Sequence, residues 1–131
     1  MIDRGLLPDF SPEALAELNR ISGLPAKSSG MIRDLRDLAW CSIDNDDSLD
    51  LDQLSVAEAL PGNITKVLIA VADVDAVVKK NTALDKHASQ NTTSVYTAAE
   101  IFPMLPEKLS TDVTSLNPDV DRYAMLVEMH I

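Results

Sequence analysis

The period of apolar and polar positions changes several times along the chain, and each change predicts an element. Ala14, Leu15, Leu18 and Ile21 recur at helical spacing behind Ser11-Pro12-Glu13. That triplet supplies a capping hydroxyl, a proline for the first turn and an acid for the positive helix end. Gly23 and Pro25 end the helix, and residues 26–33 read as a linker. Leu54 to Leu60 alternates loosely, Pro61-Gly62-Asn63 is a turn, and Thr65 to Ala72 is a β-branched and apolar run. Together they predict a hairpin with a buried second strand. Ala83 to Gln90 predicts a short helix and Ser94 to Tyr96 a strand. Phe102-Pro103-Met104-Leu105-Pro106 is expected to be irregular, because two prolines three apart break a ladder or a helix. Arg122 to Ile131 predicts a last strand that runs into the final residue, as if a domain were interrupted there. The pattern is that of an α+β fold, a mixed or antiparallel sheet with short helices. Residues 1–33 form a helix and linker, and residues 34–131 carry the sheet.

Composition narrows this reading. With 131 residues the chain suits one small domain, and 46% hydrophobic residues are enough for a modest core. The net charge of −10 excludes nucleic-acid binding by charge alone, which needs clustered Lys and Arg. Cys41 is the only cysteine, so neither an internal disulfide nor a cysteine-based zinc site can form. A reduced, cytoplasmic setting fits. No apolar run approaches a membrane span, and no membrane partner is expected. Trp40 is expected to anchor packing, with Cys41 beside it as a small buried hydrophobe.

The densest chemistry lies between Asp44 and Asp52, where Asp44, Asp46, Asp47, Asp50 and Asp52 stand with no cation among them. Such repulsion calls for a positive partner, and a hard divalent metal is the usual one. An EF-hand loop would need glycine where Leu49 stands and glutamate where Ser55 stands. Asp46-Asp47-Ser48-Leu49-Asp50 satisfies the DDxxD pattern of isoprenoid synthases, but its flanks are strand-like where that pattern lies on a helix. A metal-dependent phosphodiester site and a solvated acidic loop both remain open on these residues alone.

The spacing also resembles a known family. Asp44, five residues, then Asp50-Leu51-Asp52-Gln53 is similar to the active-site signature of the ribonuclease II (RNB) exoribonucleases, an aspartate, five residues and Asp-x-Asp-Asp. Further resemblances follow in order: Ile69-Ala70-Val71-Ala72-Asp73, Leu84-Asp85-Lys86, Thr93-Ser94-Val95-Tyr96, Pro103-Met104-Leu105-Pro106-Glu107-Lys108-Leu109-Ser110 with Ser115-Leu116, then Asp121-Arg122. The resemblance implies an incomplete portion of the RNB catalytic fold. It also implies 3′-to-5′ hydrolysis of single-stranded RNA to 5′-nucleoside monophosphates by the parent protein, with this chain inactive alone. Asp44, Asp50 and Asp52 match catalytic, metal-binding carboxylates. They would hold magnesium, two ions when substrate is bound, with manganese as a substitute. Residues two apart on a strand share a side, so Asp50 and Asp52 would point together if extended.

Gln53 stands where the fourth aspartate is expected and would ligate without charge. It is the feature that favours the alternative, a non-catalytic remnant or regulatory module. Asn91-Thr92 replaces an Arg-Gly pair that many members carry. Tyr96 matches an aromatic placed near the RNA 3′ end, where a ring stacks on a base. Arg122 is expected to form a salt bridge, and Asp73 and Asp75 a strand-ending turn. His87 is expected on a polar helix face, and neither it nor His130 is expected to act chemically. An interrupted sheet would leave an edge open to self-association.

Overall fold

The structure, a computed structural model, describes residues 1–25 and 32–131. The predicted linker therefore lies outside the described residues except for Ile32 and Arg33, which are exposed coil. Helix α1 spans Pro12–Arg20, and the Ser11 hydroxyl accepts from the Ala14 amide at 3.2 Å. Ala14 is fully buried, and Leu18 and Ile21 pack beside it. Leu15 departs from the expectation. It is 45% exposed, because the helical turn rotates it off the buried stripe.

The predicted hairpin forms as β1 (Gln53–Leu60) and β2 (Ile64–Ala72), antiparallel with Leu54 opposite Ala70 and Val56 opposite Leu68. Gly62 and Asn63 take the positive φ angles, 82° and 60°, that the turn requires. Strand β5 (Ala124–His130) pairs with the other side of β2, giving the antiparallel order β1-β2-β5. It begins two residues later than predicted. Only one face of β2 is buried, through Leu68 and Ala70. On the other face Val71, Met125 and Val127 are exposed, so the expected burial of the second strand holds on one face only. The mixture of short helices and antiparallel strands is the α+β architecture expected.

The main apolar core lies beside this sheet, between helices. Ala14 of α1 meets Val78, Leu84, Leu105, Leu109 and Val113. Leu84 belongs to α2 (Ala83–Asn91), and Leu109 and Val113 to a short π-helix, Lys108–Val113, that the sequence pattern did not predict. Two charged side chains tie the helix ends together. Glu17 accepts from the free amides of Ala83 and Leu84 at 2.9 and 3.1 Å, and Lys108 donates to the Ile21 carbonyl at 2.8 Å. Both place charge where the helix dipole favours it.

His87 is not on a polar face. It is 5% exposed, stacks on Phe10 with ring centroids 4.1 Å apart, and its Nε2 lies 3.1 Å from the Asn91 amide nitrogen. Burial lowers its pKa, so a neutral ring accepting from Asn91 is the consistent assignment. Asn91, itself 1% exposed, also exchanges hydrogen bonds of 2.8 Å with the Leu7 amide and carbonyl. It thereby fastens the N-terminal segment to α2. Cys41 is exposed, contrary to expectation, because it pairs with Ser55 along the outer edge of β1. Trp40 is half-buried, its indole donating to the Leu35 carbonyl at 2.8 Å. Asp73 does end its strand, accepting from the Ala76 amide at 3.2 Å.

Thr92 closes α2 with a φ of 59°, the left-handed region that a β-branched residue disfavours. It occupies the second place of the Asn91-Thr92 pair, where a glycine would sit without strain. Thr92→Gly is predicted to stabilise the chain by about 1 kcal/mol. Urea unfolding checks this as a higher midpoint at unchanged slope.

Candidate functional site

The acidic segment is built in two parts. Asp44, Asp46 and Asp47 are exposed on a loop turned by the bond from the Ser48 amide to the Asn45 carbonyl, 3.0 Å. From Leu49 onward the backbone is held. The buried hydroxyl of Ser115 accepts from the Leu51 amide at 2.9 Å and can donate to the Leu49 carbonyl at 3.1 Å, so it brackets Asp50. The Leu116 amide donates to the Leu51 carbonyl at 2.9 Å, and the Asp52 carbonyl accepts from Ala72 at 2.9 Å. The segment thus enters β1 already aligned with β2.

Ser115 is fixed in turn. Arg122 donates to its carbonyl at 3.0 Å, to the Asp112 carbonyl at 2.9 Å and to the Asp112 carboxylate at 3.1 Å. The expected salt bridge of Arg122 is therefore present, with Asp112. It holds the loop that holds the acids.

Tyr96 reaches the acids from another direction. It ends β3 (Val95–Tyr96), which pairs with β4 (Ile101–Phe102), a two-residue strand that the sequence pattern did not predict. Thr97 closes this small hairpin through hydrogen bonds with Glu100, and Ser94 accepts from the Met104 amide at 3.0 Å. The Tyr96 ring is 65% exposed, and its hydroxyl donates to Asp50 at 3.4 Å. The charge of Asp50 pushes the phenol pKa up, with smaller contributions from burial, the hydrogen bond to Asp50 and the charge of Asp52. Asp50 and Asp52 therefore act on one point in space, the Tyr96 hydroxyl.

The Asp52 carboxyl is raised above its ordinary value, first by burial of the group, then by the charges of Asp50 and Asp44. Asp46 and Asp47 do not contribute to that shift. Asp44, Asp50, Asp52 and Tyr96 thus share one electrostatic neighbourhood. Gln53 is exposed at the first position of β1, opposite Val71.

Comparison with known proteins identifies the family. The profile of the RNB domain matches residues 32–131. The chain belongs to the RNB family. Ribonuclease R of Escherichia coli (strain K12) is 37% identical over 129 residues, covering 95% of this chain and 16% of that protein. Ribonuclease R of Acidithiobacillus ferrooxidans is 39% identical over 128 residues, covering 97% and 29%. The structure of Mycoplasma genitalium RNase R in complex with double-stranded RNA superposes with a TM-score of 0.85 at 29% identity, over 99% of this chain and 23% of that one. The present RNB chain therefore spans less than a third of each of these proteins and corresponds to part of the RNase R fold. Helix α1 lies outside the matched residues, yet it shares the core with residues inside them.

The residues fit a divalent cation in chemistry and charge. Among the described residues no Lys or Arg pairs with Asp44, Asp46, Asp47, Asp50 or Asp52. Nor do three or more His, Cys, Asp or Glu side chains among them form a ready-made metal cage. Magnesium does not require one, since it keeps several waters and commonly binds through one or two carboxylates plus substrate phosphate.

Ser115 is the residue that sequence reasoning missed. Its Ser-Leu pair was visible, but nothing local tells that a hydroxyl after two prolines reaches back 64 residues to Leu51. The raised pKa of Asp52 gives a signed prediction for the chain without added divalent cation. The folded state binds the Asp52 proton more tightly than the unfolded state. Asp52 therefore costs nothing at pH values below the ordinary carboxylate range and destabilises as pH rises through its folded pKa. Asp52→Asn should melt higher than the parent chain at pH 7, and the gap should close near pH 3. Calorimetric scans across pH check it.

Proposed function

We propose that this chain is the cation-holding part of an RNB exoribonuclease that hydrolyses single-stranded RNA from the 3′ end and releases 5′-nucleoside monophosphates. The observation that carries this reading is the coupling of Asp44, Asp50 and Asp52 with no Lys or Arg partner among the described residues, beside an exposed tyrosine. The protein would work in the cytoplasm. Among the described residues no helix is long and apolar enough to cross a membrane. The outer edge of β5 offers a place for self-association.

Asp44, Asp50 and Asp52 would hold magnesium, two ions with RNA in place, and manganese would substitute. Bound there, the metal activates water and steadies the leaving oxygen. The Asp52 carboxyl, which its surroundings and the charges of Asp50 and Asp44 disfavour as an anion, gains from a bound cation. Tyr96 presents an open ring face to the terminal base, and its hydroxyl steadies Asp50. M. genitalium RNase R has been solved with double-stranded RNA and with ribose-methylated single-stranded RNA, which supports RNA as the ligand class. The net charge of −10 leaves phosphate binding to positive groups outside this segment.

Gln53 supports a second reading, a non-catalytic module that keeps the fold. Two variants separate the readings in a protein carrying a complete catalytic domain. With 3′-labelled RNA and magnesium, Asp52→Asn should slow mononucleotide release by more than the roughly 100-fold that losing a partner of a metal ligand costs. Equal rates before and after would sink the catalytic reading. Gln53→Asp adds a charged oxygen and should tighten magnesium binding about tenfold, read by titration calorimetry. The 131-residue chain alone is expected to release no mononucleotides.

A further inference from the structure

We propose that Ser115 is a positioning residue that sets the cation affinity of Asp50 through the backbone on either side of it. The proposal rests on the reading of Asp50 as a cation ligand. Asp50 has no rigid element of its own, because it lies between an exposed loop and the first residue of β1. Its backbone is held instead by one hydroxyl that is fully shielded from water. That hydroxyl accepts from the Leu51 amide at 2.9 Å and faces the Leu49 carbonyl at 3.1 Å. A single side chain therefore spans the two peptide groups that flank the carboxylate.

The rest of the loop is arranged to keep the hydroxyl in place. Arg122 grips the Ser115 carbonyl, and Leu116 adds a backbone bond to Leu51. Asn117 supplies a second acceptor for the hydroxyl proton at 2.9 Å while its own amide is fixed on the Thr111 carbonyl. An apolar residue at 115 would leave the Leu51 amide without this acceptor and free the segment to rotate. The carboxylates would then spread under their own repulsion, so a cation would have to gather them again on binding. The loss falls on affinity for the cation, whereas an ordinary packing defect falls on stability alone.

The test uses Mn²⁺ as probe, with free ion read by electron paramagnetic resonance, on the whole 131-residue chain and its variants. Ser115→Ala should weaken Mn²⁺ binding about tenfold, the lower end of what losing a partner of a metal ligand costs. Val78→Ala removes buried volume from the core and lies on neither the π-helix nor the loop that carries Ser115, so it should lower the melting temperature and leave Mn²⁺ affinity unchanged. If Ser115→Ala does not hold its fold, Ser115→Cys keeps the volume with a weaker hydrogen-bonding group and carries the same test. Affinity unchanged in the Ser115 variant, or weakened equally in Val78→Ala, overturns the positioning role. Asp50→Asn separates the two layers. If it binds Mn²⁺ as the parent does, or the parent binds none, the cation reading falls and the proposal with it. If only Asp50→Asn weakens binding, the cation reading stands and Ser115 is merely structural.

Discussion

Like charges must be held close against their own repulsion, and the rest of this site depends on how that is done. Two carboxylates about 4 Å apart oppose each other by about 1 kcal/mol in water and about 4 kcal/mol near a protein surface. Asp44, Asp50 and Asp52 have no Lys or Arg partner among the described residues. The opposing force comes from hydrogen bonds that pin the backbone of Leu49, Leu51 and Asp52 to the Ser115 hydroxyl and to the amides of Leu116 and Ala72. Those bonds are directional and partly buried, so they resist a long-range push that side-chain packing alone would let relax.

The division of the fold follows from this. The helical core gathers α1, α2 and the π-helix around Leu84 and Leu109, away from the acids. Its contribution to the site is indirect but definite. By anchoring the π-helix it fixes the loop that follows, and that loop carries Ser115 and Asn117. Glu17, Lys108 and Asn91 perform the corresponding task at the other end, where each satisfies backbone groups that a helix or segment terminus leaves open.

What could be read in the sequence was what has a period or a punctuation mark. The hairpin was legible because a β-branched run follows a Pro-Gly-Asn turn, and α1 and α2 because each shows helical spacing or a capping residue. The acidic site was legible through the spacing of Asp44, Asp50 and Asp52, and Tyr96 through the phrase that contains it. The rest was hidden for physical reasons. A two-residue strand such as β4 has no period to detect, and the π-helix has a register that helical spacing does not anticipate. His87 looked polar because its neighbours are polar, and only the fold shows Phe10 and Asn91 closing over it. Cys41 looked buried by residue type, whereas its pairing with Ser55 places it on an open edge.

The three-residue connection Pro61-Gly62-Asn63 lies at the far end of the hairpin from the acids, yet it takes part in aiming them. It sets which residue of β1 faces which residue of β2, and Asp52 is the last residue before β1 begins. Because side chains alternate along a strand, a slip of one position would turn Asp52 to the opposite side of the sheet. A single-residue insertion or deletion in that distant loop would thus disturb the candidate site as directly as a change within it. Substitutions there would be tolerated as long as the count of residues, and the two left-handed backbone positions, stayed the same. The length of a surface turn is here a coordinate of the chemistry.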